Sequence, residues 1–431
     1  MTAATALLPP DPRLPFRDVL LDPQRMGGRL ARCLRSGSAL DVHGCELMRA
    51  KYKVGETVRA VYRLRLDGAE RVVAARMFVG GRGAKAYRRA AARAVPSPPL
   101  RPVAIDAELD TVLWSFPNDR RLDNLTELQV VPPELGNLLP RRWEATELVA
   151  YAPDRAATGR CLDGNGATIA YVKAYAEPDF GRFARVLDAA ARHPLAPGRL
   201  RVPAVLARSD RHRMLWLEPL GGRPISELDG AELGRGMAAL GAALGVLHRL
   251  PAAGLPRFVR LDLERIHRAA EVVGWVRPDL GGLAARLAGS LAASRPPRGD
   301  PVHLHGDVTP RNLLVDDGRL ALIDLDEAGT GQAADELASV LAQVRQDRLL
   351  GLRHPGLAAE LGSSLLGAYA AVTPLPDAAT LRWHTAAALL AERALKAVTR
   401  LHADALPHME ALLREATELV AGGDDPVEAA C

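Results

Sequence analysis

The sequence predicts an α+β protein in which two β-rich domains precede a helical domain. Three observations support this class: two strand-rich segments resemble each other, an acidic hairpin pattern occupies 302–326, and helical periodicity marks 233–247 and the end of the chain from about 377 to 420. At 431 residues, the chain is too long for one compact core and suits two or three domains.

Composition excludes several classes of protein. Hydrophobic residues make up 48% and charged residues 25%, which is ordinary for a globular protein and rules out wholesale disorder. The net charge of +5 comes without a long basic run, so we expect no nucleic-acid partner. No uncharged apolar run reaches about 18 residues, so we expect no membrane partner. The four cysteines form no CxxC pair, which favours a reduced, cytoplasmic setting. The sequence leaves the oligomeric state open.

Breaks in the pattern divide the chain into five predicted segments. They are an N-terminal extension at 1–42, a first β-rich domain at 43–128, a proline-containing linker at 129–143, a second β-rich domain at 144–222 and a helical domain at 223–431. The extension is expected to hold one or two short helices.

The two β-rich domains share aromatic and proline positions at nearly constant spacing. The aligned pairs are Tyr52 with Tyr151, Phe78 with Tyr175, Trp114 with Trp216 and Pro117 with Pro219. We favour a duplicated β-rich module over chance similarity between two strand-rich segments.

The second β-rich domain has the clearer element pattern. We predict strands at 147–151, 158–162, 168–175, 202–208 and 214–217, with a helix at 179–192 before the last two. The DGNG sequence at 163–166 is typical of a hairpin turn. Further on, apolar residues spaced by three or four positions from Leu233 to Leu247 predict a helix that ends near His248.

The segment 302–326 contains the side chains most suited to catalysis. It contains His305-Gly306-Asp307, Asn312 five residues after the aspartate, two strand-like runs at 312–315 and 320–323, and then Asp324. Phosphoryl transfer needs a carboxylate beside the acceptor hydroxyl and oxygen ligands for Mg²⁺. We therefore predict Asp307 as the catalytic base, and Asn312 and Asp324 as metal ligands brought together by the hairpin.

The HGDxxxxN pattern followed by IDxD resembles the aminoglycoside phosphotransferase and choline kinase family over about 144–425. The resemblance implies a protein-kinase-like bilobal fold, with a β-rich N-lobe at 144–222 and a helical C-lobe at 223–431. The domain at 43–128 is then an extra N-lobe-like domain of α+β type. ATP or GTP and Mg²⁺ are the implied cofactors.

The same resemblance implies roles for further residues. Lys173 lies in an apolar strand and would bind the nucleotide phosphates. Residues 218–220 would form the hinge, whose backbone groups would bind the adenine edge. The other implied residues are Glu218 and Leu220 in the hinge, Arg155 as a candidate phosphate contact, Asp188 as a candidate partner of Lys173, and His305, Asp326 and Asp335 as supports, with Asp335 bracing the catalytic loop.

Two departures from the family pattern affect what we expect. Thr309 stands where the family often has histidine, two residues after the catalytic aspartate. In the first β-rich domain, Arg76 occupies the position of Lys173 and no HGD loop follows. We therefore expect that domain to act as a cap or docking domain without nucleotide.

Our leading hypothesis is a Mg²⁺-dependent phosphotransferase acting on a hydroxyl of a small molecule such as an antibiotic, sugar or nucleoside. Residues 226–300 contain more arginines than acids, which favours a neutral or anionic acceptor over a polycation. His267 and His384 are candidate acceptor contacts, although structural roles are favoured. Two alternatives stay open: a kinase for Ser or Thr of a ribosomal peptide, with the first domain as docking module, and a nucleotide-binding pseudokinase that serves as a scaffold.

Overall fold

The computed structural model describes residues 7–37, 41–177, 180–183, 185–186, 200–252, 254–316 and 319–422. It confirms the α+β class. The chain divides into two compact units. The first comprises Met1–Phe180, Val205–Pro219 and Thr399–Ala403, and the second comprises Gly181–Ala204, Leu220–Val398 and Asp404–Cys431.

The first unit is built around two five-stranded antiparallel sheets. The strands of the first sheet are β1 (Gly44–Lys53), β2 (Thr57–Leu66), β3 (Ala69–Met77), β4 (Val103–Asp106) and β5 (Thr111–Ser115). The strands of the second sheet are β6 (Ala145–Ala152), β7 (Ala156–Leu162), β8 (Thr168–Tyr175), β10 (Val205–Ser209) and β11 (Met214–Leu217). The helices described with them are α1 (Arg17–Leu20), α2 (Pro23–Leu34), α3 (Gly83–Ala91), α4 (Thr126–Gln129) and α5 (Pro133–Gly136).

The two sheets have the same strand order. The first runs β1-β2-β3-β5-β4 and the second runs β6-β7-β8-β11-β10. The first hairpin of each sheet contains a register shift, between Leu47 and Arg49 in one and between Leu148 and Ala150 in the other. The duplicated module stays a hypothesis, which this shared order supports.

The β7–β8 hairpin shows why DGNG is a turn. The Asp163 carboxylate accepts hydrogen bonds from the amides of Asn165 and Ala167 at 3.0 and 2.9 Å, and Gly166 adopts the left-handed region with φ of +76°. A short acceptor side chain and a residue free of a Cβ are what a tight turn requires. This hairpin holds β8, which carries Lys173, in register with β7.

The segment at 129–143 that we expected to be a linker packs inside the first unit. Leu135 and Leu139 are buried, and Trp143 is 1% exposed, with its ring centroid 5.8 Å from that of Trp216. These residues share one hydrophobic core with side chains of both sheets, including Val61. The two sheets therefore bury apolar surface in common.

The prediction of one continuous strand at 202–208 is wrong at its start. Residues Leu200–Arg201 form a short strand, β9, that pairs in parallel with a strand of the second unit, and β10 begins only at Val205. Pro203 lies between them, and a proline cannot donate a ladder hydrogen bond. Most of the predicted helix at 179–192, including Asp188, lies outside the described residues.

The second unit contains short strands and most of the helices. Its strands are β9, β12 (Arg223–Pro224), β13 (Val302–Leu304), β14 (Leu313–Asp316), β15 (Arg319–Leu322) and β16 (Gly329–Gly331). Its helices are α6 (Gly230–His248), α7 (Leu263–Val276), α8 (Pro278–Ala293), α9 (Ala333–Leu349), α10 (Pro355–Ala370), α11 (Ala378–Ala388), a π-helical segment at Leu389–Ala394, α12 (Leu395–Thr399) and α13 (Met409–Val420).

Helix α6 confirms the predicted apolar stripe. Leu233, Met237, Leu240, Leu244 and Leu247 are all buried, at 3% exposure or less. They join one core with α9, α10 and the β14–β15 hairpin. Within the described part of the chain, no helix is both long and apolar enough to cross a membrane.

Candidate active site

Two short pairs of strands in the second unit deliver the predicted catalytic side chains. Strand β13 pairs with β16, and the chain then enters the loop that carries Asp307. Strands β14 and β15 pair so that Leu313 lies opposite Leu322, which places Asn312 and Asp324 at the same end of this hairpin.

The backbone of Ile323 joins the catalytic loop to the end of the hairpin. Its carbonyl oxygen accepts a hydrogen bond from His305 Nε2 at 2.9 Å, and its amide donates to the carbonyl oxygen of Asn312, also at 2.9 Å. Asn312 Nδ2 in turn donates to the carbonyl oxygen of Asp307 at 2.9 Å. Residue 324 is therefore linked through its neighbour Ile323 to both ends of the loop, and His305 makes one of these links.

Both of the predicted site carboxylates, Asp307 and Asp324, are accessible to a ligand. The Asp307 side chain is 45% exposed, and Asp324 is also exposed. Asp324 has a φ of +66°, in the left-handed region that only a few residue types, aspartate among them, visit readily. Such backbone conformations cluster at functional sites. Asp326 follows within the 3₁₀ turn Leu325–Glu327 and is half-buried.

Gly306 is required by the path of the loop. Its φ is +83°, and a Cβ at this position would overlap the backbone carbonyl oxygen of Glu327. A side chain would therefore be excluded by both backbone conformation and space. The glycine lets the loop approach the turn after Asp324 closely.

Glu336 anchors the catalytic loop, where the family resemblance implied Asp335. The Glu336 carboxylate accepts hydrogen bonds from the amides of His305 at 3.0 Å and Gly306 at 2.6 Å, and from His248 Nε2 at 3.0 Å. Asp335 instead lies 2.9 Å from His384 Nδ1. The assignment of the brace to Asp335 is thus wrong by one residue.

The charge of Glu336 is stabilised despite complete burial. Burial opposes ionisation, but the hydrogen bonds from His248 and the loop amides hold the pKa of Glu336 below its usual value. Tyr369 Oη lies 2.9 Å from His248 Nδ1 and so fixes the ring that donates to Glu336. His248, which we predicted at the end of α6, therefore supports the loop through its hydrogen bond to Glu336.

Sequence reasoning missed Arg260, a buried cation near Asp307. Its guanidinium lies 4.0 Å from Asp307 Oδ1 and donates to the carbonyl oxygen of Gly306 and to Glu392. Burial disfavours this charge, but Glu392 raises the pKa of Arg260 above its ordinary value. Nothing in the sequence distinguishes Arg260 from nearby arginines, because its partner lies in the distant π-helical segment.

Lys396 is a second cation that interacts electrostatically with Asp307. Burial lowers the pKa of its ammonium to about 8, with Glu392 and Asp307 acting in the opposite direction. It lies in α12, directly after the π-helical segment, and such segments often mark functional sites. The helical end of the chain thus contributes charge to the surroundings of Asp307.

The predicted nucleotide-binding residues lie mainly in the first unit. Lys173 is on β8 opposite Thr158 and Leu215 and is 9% exposed. Glu218 follows β11, and the chain passes from the first unit to the second between Pro219 and Leu220.

The remaining predicted residues have varied surroundings. Arg155 is exposed in the turn between β6 and β7. The Thr309 hydroxyl is buried and makes no hydrogen bond to the described residues. His267 is exposed on α7, whereas His384 is buried beside Asp335.

The donor set at the hairpin end suits Mg²⁺. Asn312 offers an amide oxygen and Asp324 a carboxylate, and Mg²⁺ in phosphotransferases prefers one or two protein oxygens together with water and substrate phosphates. Among the described residues, no group of three or more His, Cys, Asp or Glu side chains could hold a metal by itself.

Comparison with known proteins identifies the class. Residues 170–375 match the family model described as APH, the phosphotransferase enzyme family. An amicoumacin kinase in complex with AMP-PNP and Ca²⁺ is 15% identical, with a TM-score of 0.50 over 70% of this chain and 95% of that chain. No curated protein matches the chain.

Two further solved structures are similar. The macrolide 2'-phosphotransferase of Brachybacterium faecium is 20% identical, with a TM-score of 0.46, over 70% of this chain and 99% of its own. A choline/ethanolamine kinase family protein of Mesorhizobium loti is 15% identical, with a TM-score of 0.47, over 69% and 98%.

The family match confirms the resemblance that the HGDxxxxN and IDxD motifs indicated. Over residues 170–375 the chain is similar to phosphotransferases of the APH type. The structural alignment with the amicoumacin kinase confirms the protein-kinase-like fold. The first sheet, β1 to β5, precedes the residues that the family model matches.

Proposed function

We propose that the protein transfers the γ-phosphoryl group of ATP or GTP to a hydroxyl group of a small molecule, with Mg²⁺ as cofactor. The observation that carries this proposal is the set of backbone hydrogen bonds around Ile323. They hold the loop with Asp307 and Asn312 against the hairpin end with Asp324. This is the arrangement of base and metal ligands that phosphoryl transfer requires.

Each residue then has one role. The Asp307 carboxylate orients the acceptor hydroxyl and takes its proton as the oxygen attacks the γ-phosphorus, and the nucleoside diphosphate leaves. Asn312 and Asp324 hold Mg²⁺, which neutralises charge on the phosphate oxygens when it is bound. Lys173 binds the α- and β-phosphates as a compact cation on a rigid strand. The Arg260 guanidinium lies beside Asp307 and donates to the carbonyl oxygen of Gly306, so it restricts the positions that both groups can adopt.

We place the acceptor at a basic cavity of the second unit. A cavity of about 370 Å³ is lined by Arg257, Arg295 and Arg298. Among the described residues that line it, Asp335 is the carboxylate, and it is paired with His384. Leu261 lines the same cavity, and the preceding residue is the arginine that contacts Asp307. The charge supports a neutral or anionic acceptor over a polycationic one.

An acceptor screen with two matched variants tests the proposal. Phosphate transfer is measured by mass shift with ATP or GTP over antibiotic, sugar, nucleoside and Ser/Thr-peptide acceptors. Asp307→Ala should lower turnover by roughly 10²–10⁴-fold, the contribution of a general base, and leave nucleotide affinity nearly unchanged. Asp316→Asn changes an exposed acid at the far end of the same hairpin and should retain turnover.

The screen separates the alternatives. Transfer only to peptides would replace the small-molecule proposal with a peptide kinase. Nucleotide binding without transfer to any acceptor would point to a scaffold. Full turnover of Asp307→Ala on a validated acceptor would show that the base is assigned to the wrong residue.

A further inference from the structure

The first unit contains a strongly basic groove of about 950 Å³ beside the first sheet. Among the described residues that line it, seven side chains are cationic and one, Glu56, is a carboxylate. The cations are Arg82, Lys85, Arg89 and Arg93 on one wall and Arg13, Arg76 and Arg120 on the other. Nothing in the proposed phosphoryl transfer uses this groove.

One wall is a cationic face of α3. Arg82, Lys85, Arg89 and Arg93 recur every three or four positions through the helix and its flanking residues, so their side chains project from the same side. Arg88 belongs to the same helix and is also exposed, but it does not line the groove. The charge is therefore directed to one side of the helix.

Two arginines of the other wall, Arg76 and Arg120, are already paired with a carboxylate of the protein. Asp154 lies 2.9 Å from Arg76 and 2.7 Å from Arg120, with Arg59 at 3.4 Å. Arg76 is the residue that we aligned with Lys173 of the second sheet. The position that we expected to have lost nucleotide binding thus still attracts an anionic group.

The rest of the groove keeps an excess of positive charge. Glu56 is paired with Lys53, so its charge is already balanced. Arg13, Lys85 and Arg89 form no ion pair with any described residue. Like charges that share a concave surface repel one another and concentrate anions there. A multivalent anion would relieve this repulsion.

We propose that this groove binds a small molecule that carries two or more phosphate groups. Arginine forks match phosphate oxygens in pairs, and the groove has the volume of a small-molecule site. Phe78, Ala86 and Ala90 add apolar surface for an organic portion of the ligand. The proposal does not depend on the phosphotransferase activity of the second unit.

Calorimetry with simple phosphates tests the proposal on the full-length protein. Inorganic tripolyphosphate should bind at least tenfold more tightly than orthophosphate, and its affinity should fall as salt rises. The double variant Lys85→Glu/Arg89→Glu should weaken tripolyphosphate binding at least tenfold. Arg88→Glu reverses one charge on the same helix but outside the groove, and it should bind as the wild type does.

A Lys173→Ala variant separates this groove from the proposed nucleotide site. Tripolyphosphate binding that survives Lys173→Ala but not the double variant supports the groove. Binding that survives the double variant, or that Arg88→Glu weakens equally, overturns the proposal. An oligonucleotide or polyglutamate that binds more tightly than tripolyphosphate, and that also depends on Lys85 and Arg89, would overturn the proposal too. The ligand of the groove would then be a polymer.

Discussion

Glu336 shows how one buried side chain fixes the catalytic loop. The carboxylate is 0% exposed and accepts hydrogen bonds from two loop amides and from His248. Glu336→Gln would replace an acceptor oxygen with an amide donor and leave at least one buried partner unmatched. We expect the variant to lose about 3 kcal/mol of unfolding free energy in urea denaturation, as for a broken buried pair.

The neighbouring acid supplies a matched control. Asp335→Asn changes a buried carboxylate that faces His384 and not the loop. Amide hydrogen exchange at His305 and Gly306 should accelerate in Glu336→Gln and stay near wild type in Asp335→Asn. The reverse pattern would return the brace to Asp335.

Lys396 makes a prediction about pH. Burial lowers the pKa of its ammonium to about 8 from 10.5 in the unfolded chain. Below pH 8 both states carry the proton, so the folded state bears the full cost of the buried charge. Stability attributable to Lys396 should therefore rise as pH increases from about 8 towards 10.5.

The difference between wild type and Lys396→Met isolates this effect from other titrating groups. Between pH 7 and pH 9.5, the unfolding free energy of the wild type should gain about 2 kcal/mol on that of the variant. Urea denaturation at both pH values measures it. A difference that is constant with pH would mean that the lysine is solvated in the folded protein.

At the scale of elements, the catalytic loop depends on the close approach of Gly306 to the turn after Asp324. Gly306→Ala would place a methyl group against the carbonyl oxygen of Glu327 in a backbone conformation with positive φ. We expect loss of phosphate transfer and reduced thermal stability. Gly289→Ala in α8 has open space around it and should be neutral or stabilise by up to about 1 kcal/mol. Retained turnover in Gly306→Ala would show that the loop has another conformation.

The elements around the site differ in how far the sequence predicts them. The loop, the β14–β15 hairpin and the stripe of α6 were predictable because each is encoded by local spacing. The choice between Asp335 and Glu336 was not, because adjacent residues on a helix point roughly 100° apart and the sequence does not fix that phase. Arg260 was missed because its partner Glu392 is distant in sequence and becomes a neighbour only through tertiary packing.

At the scale of the whole molecule, the two sheets of the first unit depend on each other. Trp143 packs against Trp216 in a core that both sheets share. Trp143→Ala should cost about 3–5 kcal/mol, as for other truncations of large buried aromatic residues. Hydrogen exchange should accelerate in both sheets together. The control Leu138→Ala lies in the same segment but is 41% exposed and should have little effect.

The shared core also explains why the sequence suggested a linker. Pro132, Pro133 and Pro140 are typical of connecting segments, and local composition does not reveal that Trp143 is buried. Removal of residues 1–140 would take away one of the two sheets that cover this core. We expect such a truncation to aggregate, so point variants are the better test of the first sheet. Exchange that accelerates in one sheet alone after Trp143→Ala would contradict this dependence.

Binding of Mn²⁺, as a paramagnetic substitute for Mg²⁺, tests most directly whether Asp324 holds the metal. Water-proton relaxation can follow Mn²⁺ binding in the presence of a non-hydrolysable nucleotide. We predict nucleotide-dependent Mn²⁺ binding that Asp324→Ala weakens at least tenfold and that Asp316→Ala leaves unchanged. Wild-type Mn²⁺ affinity in Asp324→Ala, with the nucleotide still bound, would show that Asp324 is not a metal ligand.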